Sequence, residues 1–200
     1  MKFLTLEGVD GAGKSTHIEF IADAVRTKGA HVIVTREPGG TDLAERLREA
    51  ILGEPMTPLM ETLLIFAARA DHVAKVIQPA LTSGHYVICD RFTDATLAYQ
   101  AAGKGVSADL IARLGEAVHP GVKPHRTLIF DCPYAVSRER LAKSGRELDR
   151  FEKEDRAFFD RVRNAYLAIG RKEADRVRII DASVDAHAVR EQVKTALQGF

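Results

Sequence analysis

The sequence predicts an α/β fold of three layers, a five-stranded parallel sheet with helices on both faces. Three observations predict it. Short apolar, β-rich runs alternate with longer segments of helical period, which is the sign of βαβ units. Several of those runs are unbroken Val, Ile, Leu and Phe, as strands covered on both faces require. The chain of 200 residues is 46% apolar, enough for one sizeable core. Taken in order, strand Lys2–Glu7 leads through a glycine-rich turn into helix Lys14–Lys28, and strand His31–Thr35 precedes helices Thr41–Leu52 and Pro58–Leu81. Strand Tyr86–Cys89 is followed by helices Asp94–Ala102 and Ala108–His119, and strand Thr127–Phe130 by helices Ala135–Lys143 and Arg150–Glu173. Strand Val177–Ile180 and helix Ala186–Leu197 close the pattern. No repeat, low-complexity tract or Ser/Gly/Pro-rich linker divides it, so residues 1–200 read as a single domain.

Charge and composition narrow the function. With 29 Lys+Arg against 28 Asp+Glu the formal net charge is +1, which lacks the basic excess of a dedicated nucleic-acid binder and the acidity of a disordered chain. Cys89 and Cys132 belong to no CxxC motif and no His cluster, so neither a disulfide framework nor a zinc site is expected, and a cytoplasmic setting fits. Glu7 and the glycines after it interrupt any apolar run that a signal sequence needs. The longest apolar run, Leu63–Ala68, falls far short of the roughly 18 residues of a membrane span.

The segment Gly8-Val9-Asp10-Gly11-Ala12-Gly13-Lys14-Ser15, continued by Thr16, matches G-x-x-x-x-G-K-[ST] between a strand and a helix, the context that this phosphate-binding loop requires. Its glycines let backbone N–H groups approach phosphate oxygens, and the helix that follows adds its positive end. Lys14 supplies a point charge for the transferred phosphate, and the Ser15 hydroxyl suits Mg²⁺. The expectation is therefore a P-loop NTPase fold that binds a nucleoside triphosphate. Asp90 and Asp131 each end a strand and are alternatives for the second metal contact; Asp90 is preferred because Arg91 follows it at once. A guanine-reading Asn-Lys-x-Asp element is absent, since the one asparagine, Asn164, is followed by Ala165 and Tyr166. That leaves small-molecule kinases.

Five motifs in series then resemble the thymidylate kinase family over essentially the whole chain. They are the loop Gly8–Ser15, the segment Thr35-Arg36-Glu37-Pro38-Gly39-Gly40-Thr41, Phe66-Ala67-Ala68-Arg69, the run Asp90–Gln100, and Arg146-Glu147-Leu148-Asp149-Arg150-Phe151-Glu152. The resemblance implies transfer of a phosphoryl group from ATP to dTMP, with Mg²⁺, in a homodimer. It implies that Arg36 and Arg91 hold the acceptor phosphate, a task suited to guanidinium forks. Phe66 would stack on thymine and Arg69 would bond its carbonyl edge, while Thr96 and Gln100 would meet the rest of the pyrimidine edge. Family members commonly carry the aromatic four positions before the arginine, where this chain has Ile65. Tyr99 would lie under the sugar and Asp10 would accept from its 3′-hydroxyl.

An acceptor phosphate is already largely ionised at neutral pH, so the chemistry needs positioning and positive charge rather than a general base. The phosphate loop itself holds no arginine, and by resemblance the missing cation comes from a mobile lid at about residues 138–152. Of the 19 residues Arg138–Arg156, 13 are charged, which ordinarily marks a solvated helix face. Here Arg146 and Arg150 are the leading catalytic candidates, Lys143 and Arg140 stand behind them, and Gly145 offers a hinge. The rivals are another P-loop kinase, for a different monophosphate or for a metabolite such as shikimate, and a nucleotide-binding regulator without turnover. A nucleic-acid partner lacks support, because the basic residues are interleaved with acids and the segment has one aromatic residue, Phe151.

Overall fold

A computed structural model describes residues 2–26 and 29–200. The described residues form one five-stranded, all-parallel sheet, from β1 (Lys2–Gly8), β2 (Val32–Arg36), β3 (Tyr86–Asp90), β4 (Arg126–Asp131) and β5 (Val177–Asp181), in the order β2-β3-β1-β4-β5. The register pairs Leu4 with Ile88 on one side and with Arg126 on the other. Alternation along the central strands sorts side chains between two cores. Leu4, Leu6 and Ile88 enter the larger core with Ile21, Tyr166 and Val193, whereas Phe3, Val87 and Cys89 enter a smaller one with Val73, Ile77 and Phe92. The edge strands are less covered, and Val34 and Ile179 remain exposed.

The helices follow the expected order with local differences. A 3₁₀ turn, Lys14–His17, precedes α1 (Ile18–Arg26), and the expected end of that helix at Thr27 and Lys28 lies outside the described residues. α2 (Asp42–Gly53) is capped by the Thr41 side chain, and α3 (Pro58–His72) by Thr57 with Pro58 at its first position. The long helix expected to Leu81 runs on through a π-helical segment, Val73–Ile77, into α4 (Gln78–Thr82). Pro79 explains the change of pitch, because it has no N–H to continue the ladder. α5 (Thr93–Thr96) likewise passes into a π-helical segment, Leu97–Gly103, before α6 (Ala108–Val118) and α7 (Tyr134–Lys143).

One expected boundary is corrected. α8 spans Arg156–Lys172 and does not begin at Arg150. The Asp149 carboxylate accepts the N–H groups of Phe151 and Glu152, which closes a turn there, and Asp155 caps the helix by accepting from Phe158 at 2.7 Å. α9 (Ala186–Ala196), capped by Asp185, completes the chain. Among the described residues no helix is long and apolar enough to cross a membrane, and Cys89 and Cys132 are both buried free thiols.

Candidate active site

The carboxyl ends of β1, β3 and β4 meet above the middle of the sheet, where open α/β folds collect their ligands. Gly8 makes the first turn possible: its φ is 132°, and a side-chain carbon there would stand 2.3 Å from the Phe130 carbonyl oxygen. The loop then rises between two depressions. One, on the donor side, is lined by the loop backbone, Lys14, Ser15, Thr16, Arg140 and Arg146. The other is a cavity lined by Arg48, Ile65, Arg69, Thr96, Tyr99 and Gln100, among others. Asp10 borders both.

Asp10 and Arg91 form the joint between the two. Arg91 Nη2 donates to Asp10 Oδ1 at 2.5 Å, and the Tyr99 hydroxyl donates to Asp10 Oδ2 at 2.7 Å. Burial works to raise the Asp10 pKa, but Arg91 and Lys14 outweigh it and hold the carboxyl below its ordinary value. Arg91 takes a left-handed backbone, φ 72°, which turns the guanidinium back over Tyr99. Its Nη1 reaches the Tyr166 hydroxyl at 3.2 Å, and that hydroxyl donates to Glu7 Oε2 at 2.9 Å. Lys14 is folded onto the loop, its Nζ donating to the Gly8 and Val9 carbonyls at 3.2 and 3.3 Å. Burial and the nearby Arg91 lower its pKa against the pull of Asp90, Asp10 and Glu7.

The residues present fit a hard divalent cation. Asp90 Oδ1 is buried without a hydrogen-bond partner among the described residues, and Ser15 is exposed in the donor-side cleft. Asp131 is taken by a two-point ion pair with Arg163, at 2.6 and 2.8 Å. No group of three or more His, Cys, Asp or Glu among the described residues is arranged to hold a metal. Phosphate oxygens and water would thus complete most of the shell, the usual manner of Mg²⁺. Val9 and Ala12 are buried, and Ala12 borders the donor-side depression alongside Gly11 and Gly13.

The cavity walls are built on ion pairs. Arg69, 1% exposed, lies between the rings of Phe66 and Phe92, donates from Nε to Glu37 at 2.6 Å and from Nη2 to Thr96 at 3.1 Å. Its Nη1 is buried without a partner among the described residues, a free donor on a residue that lines the cavity. Burial works to raise the Glu37 pKa, yet Arg69 and His72 keep it below the ordinary carboxylate value.

Three expected site residues lie away from the surfaces expected of them. Phe66 does not line the cavity; it is 2% exposed and packs on the Arg69 guanidinium and the His119 ring, while Ile65 faces the space. The two adjacent positions share a helix side, and core packing takes the larger ring. Arg36 stays outside the cavity lining, held by Glu45 at 2.8 Å, and Arg48 lines it instead. Arg150 is absent from the donor-side cleft. It stands 2.5 Å from the buried Glu61 and donates to the Ile51 carbonyl, whereas Arg146 borders the cleft, paired with Glu152. Gly145, with φ 67°, ends α7 as its left-handed cap.

Two residues of the cavity lining, Glu37 and Arg48, and two buried carboxylates behind it, Glu7 and Glu61, were not singled out in the sequence. Arg48 carries a legible signal, since it shares helical spacing with the buried Ala44 and Ile51. Glu7, Glu37 and Glu61 are carboxylates in otherwise apolar or motif contexts, and only their packing identifies them.

Comparison with known proteins agrees with this geometry. A family model described as thymidylate kinase matches residues 6–193. The chain belongs to the thymidylate kinase family. Thymidylate kinase of Bordetella pertussis is 52% identical over 197 residues, covering 98% of this chain and 94% of the relative. The Pseudomonas putida enzyme is 50% identical over 201 residues, covering 99% and 95%. A crystal structure of thymidylate kinase from Ehrlichia chaffeensis superimposes with a TM-score of 0.80 at 33% identity, covering 98% of each chain. The five-stranded parallel sheet with surrounding helices is thus the P-loop NTPase-type fold of thymidylate kinases.

Proposed function

We propose how this chain, a phosphotransferase that uses ATP to phosphorylate dTMP, carries out the reaction. ATP lies on the donor side with its phosphates over the loop residues Gly8 to Thr16, and dTMP fills the cavity with its phosphate toward Arg91 and Arg48. The observation that carries this reading is Asp10, which borders both depressions and ion-pairs with Arg91, so the two phosphate chains meet end to end. In-line transfer then needs alignment and charge neutralisation, which Lys14, Arg91 and the loop N–H groups provide. Ser15 and Asp90 would hold Mg²⁺, which when bound neutralises charge on the donor phosphates. Arg146 and Arg140, both on the donor-side cleft, supply the remaining positive charge from the lid at residues 138–152.

In the cavity Arg69 Nη1 meets a carbonyl of the base, Thr96 and Gln100 complete its polar edge, Ile65 covers its face and Tyr99 lies under the sugar. Asp10 accepts from the 3′-hydroxyl when Tyr99 yields its hydrogen bond. The chain acts as one domain and as a homodimer in the cytoplasm, and its substrates are these two nucleotides rather than a nucleic acid.

An ADP-release assay over dTMP, dUMP, dCMP, dGMP, dAMP and shikimate tests this. The expected result is a clear preference for dTMP that disappears when EDTA removes divalent ions. Equal rates on purine monophosphates, or binding of both nucleotides without turnover, would overturn it.

A further inference from the structure

The Glu61 carboxylate is fully buried on α3, yet it touches neither the phosphate loop nor Arg91 in any described contact. Its Oε1 accepts from Gln100 Nε2 at 2.8 Å, and its Oε2 accepts from Lys104 Nζ at 2.8 Å and lies 2.5 Å from Arg150 Nη2. Lys104 and Arg150 in turn sit on the ring of Phe151, at 4.4 and 4.6 Å from its centre. Two segments, Gln100–Lys104 and the turn carrying Arg150, thus converge on one buried carboxylate behind the cavity wall that Gln100 forms.

The consequence falls on Gln100, which is 3% exposed and lines the cavity. A carboxamide has a donor fork and an acceptor fork of nearly equal shape, and an untethered one turns over to suit either partner. Against Glu61 only one orientation is open, because the reverse sets Gln100 Oε1 against a carboxylate oxygen. The acceptor fork is therefore the one left for a ligand. Arg69, fixed by Glu37, presents a free donor at the same cavity.

We propose that Glu61 is a specificity-determining positioning residue: it locks the Gln100 amide with its acceptor toward the base, so that the cavity takes a 4-keto pyrimidine and rejects a 4-amino pyrimidine. A keto pyrimidine offers N3–H beside O4, a donor and an acceptor that match the Gln100 acceptor and the Arg69 donor. An amino pyrimidine offers an acceptor N3 beside an N4 donor and meets like with like at both points. A polar mismatch of that kind discriminates strongly, because it leaves buried groups unpaired. The inference rests on the acceptor-site reading given above.

Glu61→Gln keeps the shape but gives position 61 a donor as well as an acceptor, and so frees Gln100 to turn over. The expected result is a fall of at least tenfold in the ratio of kcat/KM for dTMP to that for dCMP, carried by a lower KM for dCMP, with kcat on dTMP within about threefold. An unchanged ratio, including an equal loss on both nucleotides, would overturn the role of Glu61 while the unmutated chain's preference for dTMP still stood. Absence of that preference in the unmutated chain would overturn the acceptor-site reading instead. Should the variant fail to fold, NMR of the unmutated chain decides. The Gln100 side-chain amide protons are expected to exchange slowly and to shift little when dTMP binds. Fast exchange before binding, or a large shift on binding, would sink the proposal.

Discussion

Glu7 shows most plainly how a single residue at the head of the phosphate loop sets the charge of the site. It is fully buried, accepting from the Phe92 N–H at 2.8 Å and from Tyr166. Burial, with Asp94 nearby, pushes its pKa up to about 8 despite Arg91 and those hydrogen bonds. Near neutral pH it is therefore mostly uncharged, which leaves the cations around Arg91 free to meet phosphate. The unfolded carboxyl titrates near 4.5, so between there and 8 the folded chain holds a proton that the unfolded chain has released. Folding stability contributed by this group then falls as pH rises through the window, by roughly 1 kcal/mol per pH unit, and levels off above it. Glu7→Gln keeps the side-chain shape and one acceptor oxygen and removes the titration. Urea unfolding between pH 5 and 8 is expected to show a flatter profile for the variant, so that its relative stability improves toward pH 8; parallel profiles would refute the assignment. At this scale the sequence displayed the motif residues but not their partners. Phe66 and Ile65 lie three and four positions before Arg69, and helical spacing puts both on its side, so only packing chooses between them.

Among the elements, the segment proposed as a lid sends its two leading arginines to different places. Arg146 follows the end of α7 and borders the donor-side cleft, whereas the turn closed by Asp149 carries Arg150 to the buried Glu61. Charge density alone made Arg146 and Arg150 equivalent, because the sequence shows the count of cations and not the buried carboxylate that claims one of them. The strands and most helix ends were legible, since apolar runs and the residues at Thr41, Thr57 and Asp185 are local features. The start of α8 was not, because the Asp149 turn competes with helix over residues that have ordinary helical propensity. The division has a kinetic signature. Arg146→Ala is expected to lower kcat by about 10²–10³-fold with the KM for dTMP changed less than about threefold, as for a cation that acts on the transferred phosphoryl group. Arg150→Ala is expected to raise the KM for dTMP and leave kcat within about fivefold. Steady-state kinetics with dTMP varied at saturating ATP separates them, and loss of kcat in Arg150→Ala alone would reverse the division.

For the whole molecule, α3 joins the acceptor cavity to an outer face that the single chain leaves uncovered. Its inner side carries the buried Glu61, Ile65 and Arg69, while Leu59, Met60 and Leu63 on its other side are 49%, 52% and 48% exposed. Leu43 of the adjacent α2 is also exposed, at 40%. Single exposed apolar residues are ordinary, but a group of four large ones on two packed helices marks a protein contact. In the homodimer proposed above, a second copy meeting the first through a two-fold axis would cover the face with itself and extend the apolar patch. Each large apolar side chain so buried contributes on the order of 1–2 kcal/mol, and a carboxylate placed there must be desolvated without a partner. Met60→Glu combined with Leu63→Glu is accordingly expected to turn a dimer into a monomer at micromolar concentration, as measured by sedimentation velocity. Because the same helix holds Ile65 and Arg69, the monomer should also bind dTMP more weakly, by several-fold in KM. A dimer that persists in the double variant would place the interface elsewhere, and a monomeric unmutated chain would remove it.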